Sequence, residues 1–333
     1  MNARPLLAVP ALLSAFFVQP ARAEWYSDQQ AIMGTRIAVE LWSEDRAQAD
    51  ELIARVMAEM RRIDVLMSTY KPDSQVSRVN AEAAEHPVKV DADLFELLWT
   101  SLEYSRLTEG AFDITYASVG HLYDFRRHVK PTPEEIARAL PAVNYRHVIL
   151  DRATHTVRFA RPGVRIDLGG IAKGWAVDQC SELLQRAGVT RAMVTAGGDT
   201  RIIGDRFGKP WMVGIRDPND RDKTVISIPL TDAAFSTSGD YERYFEENGV
   251  RYHHILEPAS GKPAGGTDAD RVRSVTIIGT TATRTDGLSK TIFVLGIDRG
   301  MRVLDRLGDV DAIVINGRGE KFYSRGLAPP AEK

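Results

Sequence analysis

Ile166-Asp167-Leu168-Gly169-Gly170-Ile171-Ala172-Lys173-Gly174 is the stretch on which the reading of this chain turns. Val164, Ile166 and Leu168 alternate as in a strand, a double glycine follows, and an amphipathic helix then opens with a lysine in its first turn. N–H groups at a helix start lack partners within the helix and lie at the positive end of its dipole. Glycines let such a backbone approach a bulky anion, and Lys173 adds a mobile positive charge. The arrangement suits a phosphate or pyrophosphate; the alternative is a plain strand-to-helix connector. It is not a dinucleotide fingerprint, because the G-x-G-x-x-G spacing and the acidic ribose partner are missing. It is not a P-loop either, since Trp175 follows Gly174 where Lys-Ser/Thr would be required.

Working outward, the loop sits between helices that come early and late and a middle that reads as hairpins. Ile37–Trp42 alternates as a strand, with Met33-Gly34-Thr35 at its start. Ser43 is read as the cap of a long helix carrying Leu52, Ile53, Val56, Met57, Met60 and Ile63 at helical spacing. A second helix is predicted over Asp93–Leu107. Thr132-Pro133-Glu134-Glu135 is a capping box opening a third. Strands are predicted at 147–150, 156–159, 164–168, 192–195, 211–215, 225–230, 241–245, 250–256 and 272–278, with Asn248-Gly249 as a hairpin turn. Helices over 171–187, 283–295 and 299–307 and a final hairpin around Asn316-Gly317 complete the pattern. The expected class is α+β, with mixed, largely antiparallel sheets and packed helices rather than a regular parallel array.

Residues 1–23 read as a secretory signal: Arg4, an apolar run to Val18, then Ala21-Arg22-Ala23 with small residues where a signal peptidase acts. Cleavage is expected after Ala23, leaving about 310 residues. These are read as a single domain (24–333), with two subdomains packed around a cleft as the alternative. No cysteine lies near Ala23, so no lipid anchor is expected, and the expected location is periplasmic. Cys180 is the only cysteine, so no internal disulfide forms. Lys and Arg number 43 against 45 Asp and Glu, which gives no basic field for nucleic acid. No second apolar run approaches membrane length, so no integral membrane segment is expected.

Several segments in register resemble one family. They are Met33-Gly34-Thr35, Met67-Ser68-Thr69-Tyr70, Asp73-Ser74, Arg78-Val79-Asn80, Gly110-Ala111-Phe112-Asp113, the 167–174 loop and Ala196-Gly197-Gly198-Asp199. Ser236-Thr237-Ser238-Gly239-Asp240-Tyr241, His254-Ile255-Leu256-Glu257-Pro258, Ser260-Gly261-Lys262-Pro263 and Thr285-Asp286-Gly287-Leu288-Ser289-Lys290 follow. In order and spacing, from about Met33 to Gly296, they look like the FAD:protein FMN transferases, the ApbE-like flavin transferases. The resemblance implies an ApbE-like, T-fold-related architecture. It also implies an enzyme that splits FAD, moves FMN onto a threonine of a target protein and releases AMP. The expected acceptor is a domain with a Ser/Thr-Gly-Ala-Ser/Thr type motif, in a membrane-bound electron-transfer complex.

Carried over by motif, Met33, Tyr70, Ala111, Phe112, Asp113, Asp167, Lys173 and Ile255 are expected to contact FAD. His254 is expected to act as general base on the acceptor hydroxyl, since an imidazole titrates near neutral pH. His253 has the opposite alternation phase and should face the other way. Glu257 stands where the family generally has Asp. The resemblance also implies Mg²⁺ held by Asp286, the Gly170 carbonyl and a hydroxyl four residues after Asp286. That last position is Lys290, whose ammonium has no lone pair to offer a cation. Ser289, or Thr291, could supply the missing hydroxyl. Alternatively Lys290 serves as a fixed positive charge on the pyrophosphate. The expectation taken forward is mixed: Mg²⁺ binds with fewer protein ligands, and Lys290 takes part in catalysis. Two other readings remain open, an FAD pyrophosphatase and a non-catalytic periplasmic flavin donor for maturing a metalloenzyme such as nitrous oxide reductase.

Overall fold

The structure is a computed structural model and describes residues 24–266 and 270–327, so the 1–23 signal reading lies outside the described residues. Eight strands form one sheet, every neighbouring pair antiparallel. In spatial order they are Glu24–Ile32, Thr35–Ser43, Ala192–Ala196, Asp199–Ile203, Ala234–Gly239, Val272–Gly279, Asp311–Asn316 and Lys321–Tyr323. Four smaller antiparallel sheets surround it. The α+β expectation holds, and the strand at 156–159 coincides with its predicted bounds.

Local expectations are corrected at five places. The Glu24–Ile32 strand was not anticipated, because Ser27-Asp28-Gln29-Gln30 interrupts any apolar alternation; pairing with the next strand through all nine residues holds it. Met33-Gly34 is therefore the turn of a hairpin, and both residues have positive φ (54° and 68°), as a two-residue turn between twisted strands demands. Ser43 ends its strand, and the helix Arg46–Met67 is capped by Asp45, whose carboxylate accepts from the N–H groups of Ala47 and Gln48. Residues 164–168 form no strand. Their hydrogen bonds go to Asn80, to the Ser118 hydroxyl and to the Ile114 carbonyl instead. The predicted strand over 241–245 starts later, at Tyr244, and the one over 250–256 breaks after His253 into two short pieces.

One large apolar cluster joins the Arg46–Met67, Ala92–Leu107 and Ala172–Arg186 helices to the first strands of the sheet. A second joins the helices Ala282–Leu295 and Ile297–Leu307 to its far strands. Ala282 belongs to the first and Leu288, Ile292 and Phe293 to the second, so the Ala282–Leu295 helix bridges the two. This helix crosses the Ala172–Arg186 helix in direct backbone contact. A Cβ on Gly174 would lie 2.2 Å from the Ala282 carbonyl oxygen, so only glycine permits that approach. Thr281, at the N-terminus of the bridging helix, makes no side-chain cap. Asp178 of the neighbouring helix caps it instead, accepting from the Ala282 and Thr283 N–H groups at 2.9 and 2.8 Å and from the Thr283 hydroxyl at 2.5 Å.

Candidate active site

The crossing of these two helices puts Lys173 and Asp286 together. Lys173 Nζ donates to Asp199 at 2.6 Å and to Asp286 Oδ2 at 3.3 Å, and the Gly174 N–H donates to the same Oδ2 at 3.1 Å. Lys290, one helical turn beyond Asp286, donates to its Oδ1 and to its carbonyl oxygen, the latter at 3.0 Å. Two lysines and two aspartates thus form one charge-balanced cluster, with Asp199 and Asp286 fully enclosed. Burial alone would disfavour all these charges. For Lys173 the two aspartates overcome it and hold the ammonium above its ordinary range; for Asp286 the two lysines overcome it and hold the carboxyl below its own. Asp199 goes the other way, raised by burial and by the neighbouring Asp286. The anion-cradle expectation for the loop is therefore modified, because protein carboxylates already occupy the Gly169 and Gly174 N–H groups.

Asp167 is a hub rather than a free acceptor. Its Oδ1 accepts from the Gly169 N–H at 2.7 Å and the Tyr116 hydroxyl at 3.1 Å, and its Oδ2 from Thr69 at 2.8 Å. These bonds tie the glycine loop to the segment carrying Tyr70, whose ring is 82% exposed and free to lie on a planar ligand. Burial, then the Asp167 charge, push the Tyr116 phenol well above its usual range, so it stays a donor. Phe112 and the Lys290 stem flank Gly170, each with a carbon 3.6 Å from where a Gly170 Cβ would stand. Ala111 and Phe112 are buried, and so is Asp113, whose carboxylate accepts from the Thr115 N–H and hydroxyl and from the Tyr145 N–H. Asp113 thus shapes the loop that presents Phe112, and burial raises its pKa despite those donors.

The two adjacent histidines divide as their alternation implies. His253 is buried, with Nε2 3.0 Å from the Ala264 carbonyl and Nδ1 accepting from the Ile255 N–H. Ile255 is buried beside it. Burial drives the His253 pKa down to about 4. His254 lies close enough to the charge cluster to feel the Lys290 charge. Its Nδ1 is enclosed without a hydrogen-bond partner, and burial, then the Arg243 and Lys290 charges among others, lower its pKa to about 3. Its imidazole is neutral throughout the physiological range. The Met33-Gly34 turn meets the site through Arg243, whose Nη2 would lie 3.8 Å from a Gly34 Cβ. Glu257, in place of the shorter Asp, accepts from the Ser260 hydroxyl at 2.6 Å and so serves its own turn.

The expected Mg²⁺ site does not fit its donors. Lys290, Lys173 and the Gly174 N–H point at both carboxylate oxygens of Asp286, and Lys290 and Ser289 at its carbonyl. Ser289 is buried, donates to that carbonyl at 2.7 Å and is joined by Ser238 at 2.8 Å. Thr291 has a buried, unpartnered hydroxyl, but five residues along a regular helix it does not share the Asp286 face. Among the described residues no group of three His, Cys, Asp or Glu side chains could hold a metal.

Thr69, Asn80, Tyr116, Asp199 and Arg243 were not singled out as site residues in the sequence. Thr69, Asn80 and Asp199 lie inside the recognised segments, so their motifs carried the signal. Tyr116 and Arg243 lie outside them, and only the fold brings them in. Two surface hollows, of about 440 and 550 Å³, are lined by other residues.

The model of the ApbE family matches residues 33–314. A protein of Treponema pallidum named FAD:protein FMN transferase is 34% identical over 313 residues, covering 89% of this chain and 85% of its own. One of the same name from Vibrio cholerae is 35% identical over 252 residues, 74% of each. The crystal structure of the ApbE protein of Thermotoga maritima superposes with a TM-score of 0.83 at 34% identity, over 91% of this chain and 98% of that one. The flavin transferase ApbE from Vibrio cholerae gives 0.80 at 31% identity, with the same coverage.

Proposed function

The chain belongs to the ApbE family, and on that footing we infer that it is an FAD:protein FMN transferase. It takes FAD and a hydroxyl of a protein acceptor, and yields the FMN phosphoester of that protein and AMP. The acceptor oxygen forms its bond to the FMN-side phosphorus as the bond from that phosphorus to the bridging oxygen breaks. AMP leaves with the bridging oxygen, and the hydroxyl proton passes to His254.

The observation that carries this reading is His254: a neutral, enclosed imidazole with an unpartnered nitrogen, within reach of the Lys290 charge. A base must be unprotonated to act, and burial keeps it so. The negative phosphates of FAD, once bound, raise its proton affinity. Lys173 and Lys290 supply positive charge for the pyrophosphate, the kind of positioning and neutralisation on which phosphoryl transfer depends. The exposed Tyr70 ring and buried Phe112 give a planar ligand apolar faces. The magnesium expected from the resemblance is left out of this reading, because the Asp286 oxygens it needs are occupied.

The acceptor in this reading carries a Ser/Thr-Gly-Ala-Ser/Thr type motif in a membrane-bound electron-transfer complex. The enzyme meets it in the periplasm after cleavage behind Ala23; processed protein should begin at Glu24. No helix among the described residues is long and apolar enough to cross a membrane. The test is AMP release from FAD with and without acceptor. Release that requires the acceptor supports transfer. Equal release of AMP and free FMN without it identifies a pyrophosphatase, and tight FAD binding without release identifies a flavin donor.

A further inference from the structure

We propose that the Lys290 ammonium stands in for the divalent cation, so that this chain binds FAD and transfers FMN without a metal in the site. The inference rests on the transferase reading above and concerns how its pyrophosphate charge is met.

Three observations carry it. The first is occupancy. Lys290 donates to Asp286 Oδ1 while Lys173 and the Gly174 N–H donate to Oδ2, so both carboxylate oxygens expected for a cation already have donors, and the Lys290 stem lies beside Gly170, whose carbonyl was the other expected ligand. The second is charge. Lys173 and Lys290 balance Asp199 and Asp286, so the buried cluster is neutral as it stands. In the FAD-free protein a divalent ion added to it would create two uncompensated positive charges in an enclosed site, whereas without Lys290 the FAD-free cluster would carry one uncompensated negative charge and call for a cation. The third is donor count. An ammonium has three protons. Lys290 directs two at Asp286, and Lys173 directs two at Asp199 and Asp286, so each keeps one for a phosphate oxygen. Both side chains remain partly open, 17% and 25% exposed, although the aspartates between them are covered. A point charge held in place by a carboxylate and a carbonyl does what a phosphate-neutralising ion does, except that it exchanges no ligands.

The test compares chelator-treated protein with the same protein in magnesium, using three readouts: FAD uptake by equilibrium dialysis, FMN transfer to an acceptor domain, and melting temperature. For the natural chain all three should be the same in chelator and in magnesium. Lys290→Thr, which leaves the cluster one negative charge in excess and restores a hydroxyl, should lose about a hundredfold or more of transfer in chelator. Magnesium should restore its transfer and raise its melting temperature. Transfer by the natural chain that vanishes in chelator and returns with magnesium overturns the proposal, as does a magnesium-dependent rise in its melting temperature. Absence of transfer under both conditions refutes the transferase reading instead. In that case FAD uptake and melting still decide the metal question, without relying on any variant.

Discussion

At the scale of single residues, the site is a division of labour between groups the fold uses and groups it leaves free. His253 and His254 are neighbours in sequence, yet one bonds a carbonyl and the other keeps an unpaired nitrogen. Replacing His254 with Asn should lower transfer by about 10²–10⁴-fold, the usual worth of a positioned base, while FAD uptake persists. Because its pKa is lowered to about 3, kcat/KM should show no acid inflection near 6.5; a clear inflection there would mean that His254 titrates as an ordinary exposed imidazole. Tyr116→Phe removes one of the three donors on Asp167 and should weaken FAD uptake more than it slows transfer at saturating FAD, a KM effect rather than a kcat effect. Residues of this kind were legible only in part. His254, Lys173, Asp167 and Asp286 are visible because their motifs carry them. Arg243 is not, because a surface arginine after a turn looks like any other until the Met33-Gly34 hairpin folds against it.

At the scale of elements, the crossing of the Ala172–Arg186 and Ala282–Leu295 helices holds the charge cluster together. Two features outside the chemistry make it: Gly174, where the backbones touch, and Asp178, which caps the opposite helix. Gly174→Ala should destabilise the protein by about 1–3 kcal/mol, the cost of overpacking a fixed contact, and lower transfer by displacing Asp286. Asp178→Ala removes a cap and leaves Arg201 without its 2.9 Å partner, and should cost about 1–2 kcal/mol, read as a lower denaturant midpoint. The helices themselves were largely legible, because their apolar spacing and the Thr132 capping box are local signals. The first strand was not, since its place comes from pairing with Thr35–Ser43 and not from its own composition. Residues 164–168 misled for a related reason: alternation shows a two-sided environment, and here side chains and a loop carbonyl provide it instead of a neighbouring strand.

At the scale of the whole molecule, the largely antiparallel α+β class was foreseeable but the order of the eight strands was not. That order depends on which edges meet, and no local pattern records it. Stability should depend on pH in a definite direction. His253 titrates at 6.5 when unfolded and at about 4 when folded, so between those values the unfolded chain binds the extra proton and stability falls as pH falls. At pH 5 this one group accounts for about 2 kcal/mol lost relative to neutral pH. The melting temperature should drop accordingly, and less so in His253→Gln. The buried Cys180 thiol is pushed far above its usual range by burial, so a thiol reagent should label it only on unfolding. Movement of FMN from FAD to a protein is read from the intact mass of an acceptor domain after incubation with the enzyme and FAD. A gain equal to FMN less one water, lying on the motif threonine and absent with His254→Asn, is the predicted result. An unmodified acceptor beside FAD that has been fully cleaved would contradict it.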